Sequence, residues 1–145
     1  MKSLISVRIH EERSKCMDII VEHANESIAV MRLTGDINAS NFMQVIEKAR
    51  ELHNKSTRNL VIDLSEVPSI SSTGIVGIHK IALLYSGAAQ DVEENENPDF
   101  THVSNARKHV RLLNPQPDVD KSLETAGMKL FFKIFNNLED ALQSF

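Results

Sequence analysis

At 145 residues, with 41% hydrophobic and 25% charged residues, the chain has the size and balance of one globular domain and not of a disordered or membrane-embedded protein. Its formal net charge of −4 argues against a nucleic-acid partner, which is usually met by a basic surface. The single cysteine, Cys16, excludes an internal disulfide and reads as a filler or surface thiol in a reducing compartment.

The opening stretch "MKSLISVRIHEERSKC" carries Arg8, Glu11, Glu12, Arg13 and Lys15. These charges leave no unbroken apolar stretch for a secretory leader. No segment approaches the ~18 apolar residues of a membrane span. A cytoplasmic location without membrane insertion is therefore expected. Within this stretch "LISVRI" alternates, with Ile5, Val7 and Ile9 on one face, and reads as a short strand. Two further strand-like runs, "MDIIVEH" and "SIAVMRL", flank the turn-forming Asn25 and predict a hairpin over residues 17–34. The chain then turns at "TGDIN".

"ASNFMQVIEKARELHNK" predicts an amphipathic helix. Phe42, Val45, Ile46, Ala49 and either Leu52 or His53 recur at helical spacing, while Gln44, Glu47, Lys48 and Glu51 point away. Asn38 or Ser40 is the expected N-cap. "NLVIDL" is short and nearly all apolar, so it reads as a strand covered on both faces or central in its sheet. After "SEVPSISSTG", the run "IVGIHKIALLY" has helical spacing at Ile75, Ile78 and Ala82, with Val76, Ile81, Leu83 and Leu84 widening its apolar surface. Such a helix is either deeply buried or keeps part of its surface for a partner.

Composition then shifts. "GAAQDVEENENPDFTH" holds Asp91, Glu93, Glu94, Glu96 and Asp99 but no Lys or Arg, and residues 87–103 read as an acidic, solvated loop with little apolar surface to offset its ordering. "HVRLLN" resumes strand character. "PDVDKSLETAGM" predicts a short helix with Val119, Leu123 and Ala126 on one face and Gly127 at C′. "KLFFKIF" reads as a last strand, and "NNLEDALQSF" as a closing helix capped by Asn137, with Leu138, Ala141, Leu142 and Phe145 facing inward. The order β-β-β-α-β-α-β-α-β-α predicts an α/β fold, a mixed, mostly parallel sheet with crossover helices packed on it, as a single domain over residues 1–145.

The stretch "SISSTG" crowds Ser71, Ser72 and Thr73 directly before Gly74 and the apolar helix. A nucleophile elbow needs G-x-S-x-G, and no glycine precedes Ser72 by two residues. No motif places a histidine and a carboxylate beside it, and His79, two turns along, reads as a surface or interface residue. H-E-x-x-H, C-x-x-C, EF-hand and P-loop patterns are all missing from the sequence, so neither a metal nor a cofactor is expected, and no enzymatic activity. Two local readings stay open. One hydroxyl can cap the helix, worth about 1 kcal/mol. The strand–loop–helix arrangement also suits an anion, because the first-turn N–H groups and the helix dipole face it.

"VMRLTGDIN", then a helix, then "NLVIDLSEVPSISSTGIVGI" resembles the STAS domain of anti-sigma factor antagonists. The family pattern runs from a T-G-acid-hydrophobe-Asp turn through a helix and an apolar strand to a D-S-S-G-like loop before a second helix. The tail "HVRLLNPQPDVDKSLETAGMKLFFKIFNNLEDAL" is similar to the family's closing strand, helix, strand and helix. The resemblance covers residues 17–145 and implies a STAS-like fold, with residues 1–16 as an extra N-terminal segment and 87–103 as an insertion. It departs at two positions: Ser71 stands where the pattern often has Asp, and Asn38 where the turn often ends in Asp. Both changes remove negative charge near the loop.

What the resemblance implies is a partner-switching regulator. Such a protein binds an anti-sigma factor with serine kinase activity. It is released when that kinase phosphorylates the loop serine, here Ser72, and is restored by a metal-dependent serine phosphatase. Asp36, Asn38, Ser71, Ser72, Thr73, Gly74, Ile75, Ile78 and His79 are then the expected partner-binding residues. The alternatives are a non-phosphorylated STAS subunit of a membrane transport complex and a nucleotide- or small-ligand-sensing domain.

Overall fold

The computed structural model describes residues 18–86, 109–130 and 132–145. The expected first strand at "LISVRI", Cys16 and the acidic stretch 87–103 lie outside the described residues. Chain order runs β1 (Asp18–His23), β2 (Ile28–Thr34), α1 (Phe42–Asn54), β3 (Asn59–Glu66), α2 (Ser72–Ser86), β4 (Val110–Leu113), α3 (Pro117–Thr125), a 3₁₀ turn (Met128–Leu130), β5 (Lys133–Phe135) and α4 (Leu138–Gln143).

The five strands lie in the order β1-β2-β3-β4-β5. β1 and β2 form the antiparallel hairpin, in register from Asp18↔Thr34 to His23↔Ala29. Asn25 builds its turn as expected, its Oδ1 accepting the N–H groups of Ser27 (2.8 Å) and Ile28 (3.0 Å). The remaining neighbours are parallel. Each crossover steps to the next strand in one direction, and right-handed crossovers then place α1, α2 and α3 on the same face.

Alternation assigns the two faces. Ala29, Met31, Leu33, Leu60, Ile62, Leu64, Val110 and Leu112 face the three helices and join Val45, Ile46, Ala49, Ile78, Ile81, Val119 and Leu123 in the main core. β3, central in the sheet, is buried along most of its length, as its apolar run predicts. On the reverse face Val30, Val61 and Leu113 meet Ala141 of α4, with Phe135, Leu138, Leu142 and Phe145 packed against them. That face also holds charge. Asp63 is buried and accepts a bond from Arg32 Nε at 3.0 Å and from the Ser65 N–H at 3.0 Å. Arg111 is buried too, bonded to Ser144 Oγ at 2.7 Å and set 4.6 Å over the Phe145 ring.

Several expectations shift in detail. α1 buries Val45, Ile46, Ala49 and Leu52, so Leu52 completes the stripe and His53 sits half-buried against Tyr85, ring centroids 4.8 Å apart. Asn41, and neither Asn38 nor Ser40, precedes the first turn of α1. In α3, Val119 and Leu123 are buried but Ala126 is exposed, because the helix stops at Thr125. Gly127 follows with φ +77°, the left-handed conformation expected at C′. The last strand is only three residues. Lys129 is drawn to Asp120 of α3 at 2.9 Å and the Phe132 N–H bonds back to the Met128 carbonyl at 3.1 Å, so the chain coils before it extends. Asn137 caps α4 as expected, accepting from the Asp140 N–H at 3.1 Å.

Candidate functional site

Two loops beyond the β2 and β3 strand ends meet above the sheet. After β2, Gly35 takes φ +111°, a conformation that L side chains resist, and its N–H donates to the Glu66 carbonyl at 3.1 Å. Ile37 then forms an isolated parallel bridge with Ile70. Its N–H donates to the Ser69 carbonyl (3.1 Å) and its carbonyl accepts the Ser71 N–H (2.9 Å). The two loops thus extend the β2–β3 pairing and carry Asp36 and Asn38 alongside Ser71 and Ser72.

Asn41 holds the first loop in shape. Its side chain is buried, accepts the Asn38 N–H at 2.9 Å and donates to the Asp36 carbonyl at 2.7 Å. Asn38 Oδ1 in turn accepts the Ser40 N–H at 2.9 Å. Asn41 therefore ties the turn together and makes no side-chain capping bond to α1. The sequence hides this, because "NASN" offers three polar residues and nothing in their order says which one turns its side chain into the loop.

The three crowded hydroxyls separate. Ser71 precedes α2 and its Oγ accepts the Gly74 N–H at 3.1 Å, while its carbonyl accepts the Ile75 N–H at 3.0 Å; Ser71 is the cap. Ser72 opens the helix. Its hydroxyl is exposed and makes no hydrogen bond among the described residues. Thr73 is half-buried. The backbone N–H groups of Ser72 and Thr73 have no partner among the described residues and belong to the positive end of the helix dipole.

Gly74 explains how the helix comes so close. A Cβ there would lie 2.8 Å from Ile37 Cγ2, 2.8 Å from Ile70 Cγ1 and 2.9 Å from the Ile37 carbonyl oxygen. One turn on, a Cβ at Gly77 would lie 3.2 Å from the Phe42 ring. The two glycines let α2 settle against the Ile37 loop and the start of α1. At the far end, buried Tyr85 donates its hydroxyl to the Ala49 carbonyl at 2.8 Å, and burial pushes that phenol above its ordinary range.

The expected partner-binding residues divide accordingly. Asp36 and Ser72 are exposed; Asn38, Ser71, Thr73 and His79 are half-buried. Burial also pushes the His79 imidazole below its usual range. Gly74 is enclosed, and Ile75 and Ile78 are 9% and 1% exposed. Those three were expected at the partner face; they face the core instead, because α2 turns its Gly74–Ile78–Ile81 side to the sheet and α1. The apolar residue that α2 does expose is Val76, and α1 exposes Met43. Among the described residues no group of three His, Cys, Asp or Glu could hold a metal ion, and no helix is long and apolar enough to cross a membrane.

Residues 20–86 match the family model of the STAS domain, and this segment contains both loops of the site. Solved structures share the fold of this chain. A candidate anti-sigma factor antagonist from Thermotoga maritima superposes with a TM-score of 0.66 at 16% identity, covering 86% of this chain and 92% of that one. The anti-sigma factor antagonist SpoIIAA in its unphosphorylated form gives 0.60 at 16% identity, covering 86% and 93%. SpoIIAA from Bacillus in the phosphorylated form gives 0.53 at 16% identity, covering 87% and 97%. At these identities the likeness is one of fold. No curated protein sequence matches this chain significantly.

Proposed function

We propose that the protein is an anti-sigma factor antagonist, a partner-switching regulator controlled at Ser72. One observation carries the choice of residue. Of the three adjacent hydroxyls, Ser71 is used as the helix cap and Thr73 is half-buried, while Ser72 is exposed and unbonded. The structural neighbours supply the class: they are described as anti-sigma factor antagonists, one of them solved with and without phosphate.

In this reading the partner is an anti-sigma factor with serine kinase activity, which transfers the γ-phosphoryl group of ATP to Ser72 Oγ and releases ADP. The new phosphate brings about −1.5 to −2 charges. At the N-terminus of α2 the helix dipole tolerates it, adding ~0.3–1 kcal/mol of stabilisation. In a packed interface the same charge would have to lose its water, which costs far more. Phosphorylation therefore ends binding without unfolding the domain, and a metal-dependent serine phosphatase resets it. Ser71, neutral where the STAS pattern often has Asp, keeps the cap without adding a second negative charge.

The test is to incubate the protein with each purified anti-sigma-type serine kinase of its source organism and ATP, and to map phosphate by mass spectrometry. Phosphate on Ser72, its loss in Ser72→Ala, and a folded Ser72→Glu that no longer binds the kinase are the expected results. No phosphate on Ser72, with Ser72→Ala behaving as wild type, would sink the switch.

A further inference from the structure

The sheet ends differently on its two sides. β5 is three residues long and carries Lys133, two features that discourage a further strand from adding there. β1 has neither. It is six residues long, without proline or lysine, and its register with β2 runs without a bulge. Among the described residues β2 is its sole hydrogen-bonded neighbour, so alternate main-chain N–H and C=O groups of β1 point outward from the sheet. Its side chains are only partly covered. Ile19 and Val21 are half-buried, although Leu33 and Met31 opposite them are fully buried, and Ile20 is 48% exposed on the reverse face. A groove of about 600 Å³ lies between this strand and α1, lined by Asp18, Ile19, Gln44, Glu47, Lys48 and Glu51.

We infer that this edge is the docking site of the chain's own residues 4–9, "LISVRI", added antiparallel to β1 as a sixth strand. The inference is independent of the switch reading. Residues 10–17 connect the two segments, a length in which the chain can reverse. Facing residues of an antiparallel pair share a sheet face. With Ile9 opposite Ile19, Val7 falls opposite Val21, and the alternation of Ile5, Val7 and Ile9 extends the apolar layer over the groove. Arg8 then falls opposite Ile20 on the reverse face. Its stem covers the exposed isoleucine, and its guanidinium reaches diagonally to Asp18 and Glu22. Glu22 otherwise has Arg32 at 3.9 Å. The charges complement each other, since Lys2, Arg8, Arg13 and Lys15 outnumber Glu11 and Glu12 in the covering segment. A second copy of the chain fits this edge less well. Two β1 strands paired about Ile20 set Asp18 directly opposite Glu22 of the other copy, and like charges so placed destabilise the pair; paired about Val21, they set Ile20 against Glu22.

The experiment follows backbone amide exchange in the full chain by NMR. In the wild type, the β1 amides that point away from β2 should exchange at least about tenfold more slowly than in an unstructured chain. Val7→Pro removes a donor from the middle of the added strand and should return those amides to fast exchange, while the amides of β3 stay slow and report an intact fold. Arg8→Glu puts a like charge beside Asp18 and Glu22 and should speed the same amides by about threefold. Fast exchange of the outward amides in the wild type would mean a bare edge and overturn the assignment. Protection that survives both variants would overturn it too, and a dimer mass in light scattering would then name a second copy as the cover. If the β3 amides also become fast in Val7→Pro, that variant has not folded, and Arg8→Glu decides alone: unchanged exchange there rejects the sixth strand.

Discussion

Helices α1 and α2 both start where the β2 and β3 segments leave the sheet, and they solve the same problem in opposite ways. Each first turn has backbone N–H groups without helical partners. Before α1, Asn41 turns its buried side chain backward, bonding the Asn38 N–H and the Asp36 carbonyl, and the loop closes on itself. Before α2, Ser71 reaches forward to the Gly74 N–H and leaves Ser72 unengaged. The contrast separates the two loops: one closes on itself as a brace, and the other leaves the Ser72 hydroxyl exposed beside it.

Substitutions along these two helix starts grade the contrast. Gly74→Val should be the most damaging, because a side chain there meets Ile37 and Ile70 at 2.8 Å; a loss of about 3 kcal/mol is expected in chemical denaturation. If Gly74→Val is as stable as wild type, the close approach of α2 to the Ile37 loop is wrong. Asn41→Ala leaves the Asn38 N–H and the Asp36 carbonyl without their partner, and should cost about 2 kcal/mol. Ser71→Ala removes a cap and should cost about 1 kcal/mol, whereas Ser72→Ala, next to it, should change stability by less than about 0.5 kcal/mol. Equal effects at Ser71 and Ser72 would erase the division of labour between the hydroxyls. The smallest effect concerns pH. Burial holds the imidazoles of His53 and His79 below their ordinary range, so the folded state binds fewer protons than the unfolded one. Their contribution is present above the unfolded value of about 6.5 and fades as pH falls below it. The His79→Gln variant should flatten that part of a melting-temperature profile.

Some of this was legible from residue order alone. The stripe of Val45, Ile46, Ala49 and Leu52 stands out because charged residues fill the rest of α1. β3 reads as central because its run has no polar side until Asp63. Even Gly127 and Asn137 declare their places through local backbone chemistry. The site was legible in outline, since "SISSTG" and "TGDIN" mark both loops. Its finer assignment was not. α2 is apolar nearly all round, so periodicity could not tell the inward Ile75 and Ile78 from the outward Val76. Asn41 is hidden because its side chain turns back to Asp36 and Asn38 and not forward to α1, a choice that residue type alone does not decide. The Arg32–Asp63 pair was equally silent, as nothing local says that Arg32 lies opposite Asp63 across two strands. The resemblance to the family pattern points to Ser72, and the fold distinguishes its two neighbours from it: Ser71 caps α2 and Thr73 is half-buried.

The Ile37–Ile70 bridge bears on how any modifying enzyme would meet this protein. The hydroxyl of Ser72 is displayed by two segments stitched together through main-chain bonds. A short synthetic peptide spanning residues 67–78 would contain every atom of "SISSTG" but neither Asp36 nor Asn38, and nothing would hold its backbone in a helical turn. If Ser72 is modified as proposed, what the enzyme meets is a shape and not a linear epitope. Assays built on peptide arrays would then pass it over, and a destabilised domain would lose the presentation of Ser72 together with its fold.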